Sequence, residues 1–156
     1  MIFIPDCKDT DHRATPEWLK QAIWDRFNGG QPMYDPCPLS PTEDGLKRDW
    51  APKTYVNPPF SRGLQKIWVK KCIEQQFKGR DIYLLLKCDT STELFHDLIL
   101  PNVSLIYAFD CRVQFTDAGT PSFDTVLYNF AYELHDACLM PFKVKHLRET
   151  FKKLHK

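Results

Sequence analysis

The run Ile82-Tyr83-Leu84-Leu85-Leu86 limits the possible folds of this chain more than any other stretch. Five successive apolar residues without polar alternation do not suit a strand with one wet face. They suit a strand covered on both sides, as in the interior of an α/β sheet. The flanking periodicities supply the covers. Leu19, Ala22, Ile23 and Phe27 repeat on one helical face. Thr15-Pro16 reads as an N-cap followed by proline at the first helical position, and Asn28-Gly29-Gly30 as the stop. Leu64, Ile67, Trp68 and Cys72 form a second helical face that ends near Gly79, and 92–100 reads as a helix stopped by Pro101. Strands are expected at Met33-Tyr34-Asp35, at Tyr55-Val56, and over 103–109, 111–115 and 125–132. Val144, Leu147, Phe151 and Leu154 place a basic helix within about 141–156. Residues 1–12 are polar and read as an arm. The expected fold class is α/β: one compact Rossmann-like domain over 13–156, with a mixed, mostly parallel sheet flanked by helices and no separate target-recognition domain.

Composition narrows the function classes. With 156 residues and 43% hydrophobic content, one domain with a real core is expected. No run approaches the ~20 apolar residues of a membrane span, and Met1-Ile2-Phe3-Ile4 followed by Pro5-Asp6 is unlike a signal peptide. A cytoplasmic location is therefore expected, the host cytoplasm if the chain is viral, with no membrane partner. The six cysteines are scattered without a Cys-x-x-Cys pair or a Cys/His cluster, so no metal site is expected. The net charge is only +1 but unevenly spread: residues 143–156 hold six Lys/Arg against one acid. That asymmetry is compatible with nucleic-acid contact, and equally with a solvated helix face.

The chemistry centres on Asn57-Pro58-Pro59-Phe60, between the Tyr55-Val56 strand and the helix that contains Leu64. Open α/β sheets bind ligands at the carboxyl ends of their strands. An amide oxygen on Asn57 and the carbonyl of Pro58 suit two hydrogens of one NH2 group. Pro59 stiffens the turn, and Phe60 offers a face on which a planar ring stacks. An exocyclic ring amine is a poor nucleophile because its lone pair is delocalised. Two acceptors on its hydrogens push the nitrogen toward tetrahedral geometry and aim the lone pair at an electrophilic methyl group. S-adenosylmethionine is the donor that fits, and catalysis is then mostly alignment and electrostatics. A base within a duplex must be flipped to reach such a site. For the donor, Asp35 is the expected partner of the ammonium, Thr15 of the carboxylate, and Asp49 with Trp50 of the adenine. A turn-forming aspartate, a helix cap and a surface aspartate are the plainer readings of Asp35, Thr15 and Asp49.

These residues, in this order, resemble a known family: the small phage-type DNA adenine-N6 methyltransferases, or phage Dam-like family. The similarity runs from about Arg13 to Phe130. It includes Thr15-Pro16, Asp35-Pro36-Cys37, Leu46 to Trp50 and Asn57-Pro58-Pro59-Phe60-Ser61. It continues through Trp68, Leu85-Leu86, Asp89-Thr90-Ser91-Thr92, Phe95-His96, Arg112-Val113-Gln114-Phe115 and Pro121-Ser122-Phe123. The resemblance implies a reduced S-adenosylmethionine-dependent methyltransferase fold with DNA adenine as acceptor. Further expected DNA contacts are Ser61, Arg62, Lys66, Arg112 and Phe123, in a monomer or homodimer. One departure from methyltransferases at large stands out: the loop after the first strand is Pro36-Cys37-Pro38-Leu39-Ser40, with no glycines. The competing readings are an enzyme acting on another planar amine (an RNA base or protein glutamine) and a non-catalytic nucleic-acid binder that uses the basic C-terminal helix.

Overall fold

The computed structural model describes residues 13–115, 121–133 and 136–156. The proposed arm over 1–12 lies outside the described residues. A five-stranded sheet is built from β1 (Lys53–Val56), β2 (Asp81–Lys87), β3 (Leu105–Phe109), β4 (Thr125–Phe130) and β5 (Cys138–Phe142), in the order β1-β2-β4-β3-β5. Its helices are α1 (Glu17–Phe27), α2 (Arg62–Phe77) and α3 (Lys145–Leu154).

β1 pairs parallel with β2, and β3 parallel with β5. β4 lies between β2 and β3 and is antiparallel to both. Four strands thus share one direction, but the odd strand is central. The neighbouring pairings therefore divide evenly: the sheet is mixed, as expected, but its pairings are not mostly parallel. The common direction matters for function, because the carboxyl ends of β1, β2, β3 and β5 all open on one edge.

Strand alternation sorts the core into two layers. Val56, Ile82, Leu84, Leu86, Val126, Tyr128 and Phe130 face Trp68, Val69 and Cys72 of α2. Tyr55, Tyr83, Leu85, Leu127 and Tyr107 face Leu19, Ala22, Ile23 and Trp24 of α1, together with Phe142 and Val144. β2 is buried from Ile82 through Leu86, as its unbroken apolar run requires. Positive φ at Gly29 and Gly30 (60° and 81°) turns the chain out of α1, a conformation that only glycine adopts readily.

Several local expectations change. The helix α1 starts at Glu17 with Pro16 in the cap position and no side-chain cap, so Thr15 does not cap it. The strand at Met33-Tyr34-Asp35 shrinks to one parallel bridge, Tyr34 to Thr54. Residues 112–115 alternate in burial, with Val113 and Phe115 inside, but join no ladder. The helix expected over 92–100 is a π-helical turn, Leu94–Ile99. The C-terminal helix expected within about 141–156 forms as α3, and before it comes β5, an edge strand that local sequence pattern does not announce.

Candidate active site

Asn57-Pro58-Pro59-Phe60 leaves the carboxyl end of β1 and enters α2 within a few residues, so the turn sits on the edge where the parallel strands open. Side chains two apart on a strand share a face, so Tyr55 and Asn57 both look toward α1. That places Asn57 against the segment leading into α1. Its Nδ2 donates to the Arg13 carbonyl (2.6 Å) and to Thr15 Oγ1 (3.1 Å). The Thr15 hydroxyl in turn lies 2.5 Å from the Tyr55 hydroxyl. Tyr55 is fully buried, with the Trp24 ring edge-on at 5.2 Å. Two donated bonds fix which end of the Asn57 amide is nitrogen, and so turn its oxygen away from α1.

Asp35 follows Tyr34, whose carbonyl accepts from Tyr55 N–H at 2.9 Å, and so reaches the same edge beside β1. Its Oδ1 accepts from Cys37 N–H at 2.8 Å. Burial pushes the Asp35 carboxyl up to about 6, against the opposing pulls of that N–H and of Lys20. The Tyr55 phenol is pushed up by burial and by the nearby Asp35 charge, with the Thr15 bond acting the other way. Asp35, Tyr55, Thr15 and Asn57 are therefore one connected polar group at the strand ends.

The loop after Asp35 has no glycine, and one close backbone approach to it comes from Gly45. A Cβ on Gly45 would overlap the Pro36 carbonyl, so Gly45 seats on the Asp35-Pro36 corner only as glycine. Its carbonyl accepts from Trp50 Nε1 at 2.8 Å.

On the exit side, Gln65 Nε2 donates to the Phe60 carbonyl at 2.8 Å. The Phe60 ring meets Phe115 edge-on at 5.2 Å and Phe123 at 5.9 Å, with the Arg13 guanidinium 5.7 Å from its centre. Arg112 bonds the Pro121 carbonyl (3.3 Å) and the Asp124 carboxylate (3.4 Å), which holds the stretch carrying Phe123. Lys87 lies 4.7 Å from the Phe123 ring centre. A groove of about 570 Å³ runs on from Phe60 past Lys66, Lys87 and Asp89 to the π-helical turn.

The structure brings Thr15, Asp35, Asn57, Phe60, Arg112 and Phe123 to one edge, with Ser61 and Lys66 at its rim. It does not bring Asp49 and Trp50 there. They precede β1 at the opposite end of that strand, where Asp49 lies against the last turns of α2 and the Trp50 ring turns inward to Trp68 and the Gly45 carbonyl. Asp49 accepts from Lys78 (2.6 Å) and Gln75 (3.0 Å), bonds that hold its carboxyl at about 2. Trp50 is buried and stacked on Trp68. The Arg62 side chain lies outside the described residues. Tyr55 and Gln65 are site residues that sequence reasoning missed. The period-two step from Tyr55 to Asn57 is the signal that pointed to Tyr55.

Thr15→Val tests this relay. It removes one of the two acceptors of Asn57 Nδ2 and the partner of the Tyr55 hydroxyl, at a cost of about 1–3 kcal/mol for a buried polar group that loses its partner. The melting temperature is expected to fall in Thr15→Val and to be mostly restored in Thr15→Ser, as thermal melts would read. An unchanged melting temperature in Thr15→Val would show that the Thr15 hydroxyl does not help to hold Asn57 and Tyr55.

An open α/β sheet with a prolyl, amide-bearing turn and an aromatic cluster at the edge where its parallel strands end defines a class: α/β domains whose ligand edge lies at the strand carboxyl ends. The sequence model of the DNA N-6-adenine-methyltransferase (Dam) family matches residues 6–132. The chain belongs to that family. No curated protein matches it at a significant level. A crystal structure described as a predicted O-methyltransferase from Agrobacterium tumefaciens is similar over 64% of this chain, with 17% identity and a TM-score of 0.39. The chain spans 44% of the length of that protein.

Proposed function

We propose that this protein methylates the exocyclic N6 amine of adenine in DNA, with S-adenosylmethionine as donor, on a reduced Rossmann-like methyltransferase scaffold. The observation that carries this reading is the buried Asn57 amide at the carboxyl end of β1, anchored through its nitrogen to the Arg13 carbonyl and the Thr15 hydroxyl, with Phe60 in the same turn. Family membership supplies the acceptor base.

The residues present fit the donor. Its ammonium requires an anion at the strand edge, and the Asp35 carboxyl stands there in a half-buried position that disfavours unpaired charge. When bound, S-adenosylmethionine supplies a methyl carbon activated by a sulfonium leaving group. The chain's own work is alignment. Phe60 stacks the flipped base, the Asn57 oxygen and the Pro58 carbonyl accept the two amine hydrogens, and the rigid prolines hold both acceptors in register. The amine proton becomes acidic as the new N–C bond forms, so a strong general base is unnecessary.

The test is radiolabelled methyl transfer to unmethylated DNA, followed by nucleoside analysis for N6-methyladenine. Label recovered only in another base, or no label at all, overturns the reading.

Asp35 gives the reading a pH signature. A carboxyl raised to about 6 is mostly ionised at pH 7 and mostly neutral at pH 5, a change of roughly tenfold in the ionised fraction. Affinity for S-adenosylhomocysteine, which keeps the ammonium, is expected to weaken about tenfold over that interval. Asp35→Asn should bind weakly and without that slope. The linked stability has the opposite sense. The native state holds the Asp35 proton more tightly than the unfolded chain does. Without ligand, this group's contribution is therefore fully present below the unfolded pKa of about 4 and is lost as pH rises through about 6. Calorimetric titration at the two pH values checks the binding, and a pH-independent affinity would remove Asp35 from the donor site.

A further inference from the structure

The family match ends at residue 132, and beyond it the chain continues as a structured addition: β5 extends the sheet beside β3, and α3 leaves it. We infer that α3 is a phosphate-gripping arm that holds the DNA backbone to one side of the catalytic turn. This rests on the proposed reading that DNA is the substrate.

Its placement comes first. β5 runs parallel to β3, so it ends on the same edge as β1 and the Asn57 turn. The Asp110 carboxylate, just past β3, accepts from Val144 N–H (2.8 Å) and Lys145 N–H (2.9 Å) and fastens the start of α3 to that edge. Those backbone donors are therefore used, and α3 must meet any anion with side chains. β5 is itself pinned to α1: the Arg26 guanidinium lies 4.5 Å from the Phe142 ring centre and donates to the Pro141 carbonyl. Four strand spacings of about 4.8 Å separate β1 from β5, so α3 starts about 19 Å from the catalytic turn, roughly half a turn of duplex.

Charge is the second observation. Elsewhere among the described residues four lysines pair with carboxylates, Lys20 with Glu17, Lys47 with Asp44, Lys71 with Glu74 and Lys78 with Asp49, while Lys53 bonds a carbonyl, Lys87 lies on the Phe123 ring, and Lys66 and Lys70 make no ion pair. On and around α3, Lys143, Lys145, Lys152, Lys153 and Lys156 are exposed and make no ion pair among the described residues, and only Arg148 pairs, with Glu149. No residue of α3 is buried, so packing does not account for the helix's composition. Lys145, Arg148 and Lys152 follow three- and four-residue spacings and form one stripe. Such a stripe on the catalytic edge suits a polyanion laid across that edge.

Fluorescence anisotropy of a labelled duplex between 50 and 200 mM salt tests the inference, because it reads binding without turnover. Each phosphate contact contributes about −0.9 to the slope of log affinity against log salt. The triple variant Lys145→Gln/Lys152→Gln/Lys153→Gln should flatten that slope by about 2.7, so that wild type loses about 40-fold more affinity than the variant over this range. Binding of S-adenosylhomocysteine by the same variant reports that the fold is intact. An unchanged slope overturns the inference even if methyl transfer is confirmed. A flattened slope upholds it even if the transferred methyl is found on another base. Sedimentation in the same buffers covers the exposed Leu147 and Leu154: a wild-type dimer lost in the variant would assign α3 to self-association and also overturn it.

Discussion

Asn57→Ala is expected to reduce methyl transfer by on the order of 10²-fold or more, the cost typical of losing one preorganised polar contact to a developing charge. Two losses combine. The acceptor that localises the amine lone pair disappears, and the Arg13 carbonyl and Thr15 hydroxyl lose the donor that binds both. Asn57→Asp separates them. It keeps an oxygen toward the amine but sets a second oxygen against the Arg13 carbonyl, where wild type has a 2.6 Å hydrogen bond. Its activity should lie between wild type and alanine, with a lower melting temperature than wild type. Single-turnover rates at saturating donor, beside thermal melts, make the comparison. Wild-type rates in Asn57→Ala would remove the mechanism.

The parts of this fold that were legible in the sequence are those whose local pattern and tertiary role agree. The unbroken apolar run of β2 and the helical faces of α1 and α2 carried their own burial. So did the strand-turn-helix context of Asn57. Elsewhere, distant partners decided. β5 has Pro141 near its end and mostly exposed side chains, features that argue against a strand, and it exists because β3 offers an edge. Residues 112–115 have a strand's alternation but no neighbour to complete a ladder. The π-helical turn keeps apolar spacing close to that of an α-helix, so periodicity cannot tell the two apart. Within the site, Thr15 satisfied every local rule for a cap, yet its hydroxyl is taken by Tyr55 and Asn57, residues 40 and 42 positions away. Asp49 lies before the start of β1, and only the carboxyl ends of the strands share the ligand edge.

Phe60→Ala carries the second large effect, because a stacked base is worth about 1–3 kcal/mol, or roughly 5- to 150-fold in capture of the flipped adenine. The ring does not stand alone. Phe115 braces it edge-on, Phe123 lies 5.9 Å away, and Gln65 fixes its carbonyl, so alanine removes both a stacking face and a packed volume. Phe60→Leu divides these contributions, since leucine refills much of the space without a π face. A duplex with 2-aminopurine at the target position reports flipping by its fluorescence, without turnover. Both variants should lose most of that signal, while leucine recovers most of the stability that alanine loses. A full signal in Phe60→Leu would mean that apolar volume alone seats the base.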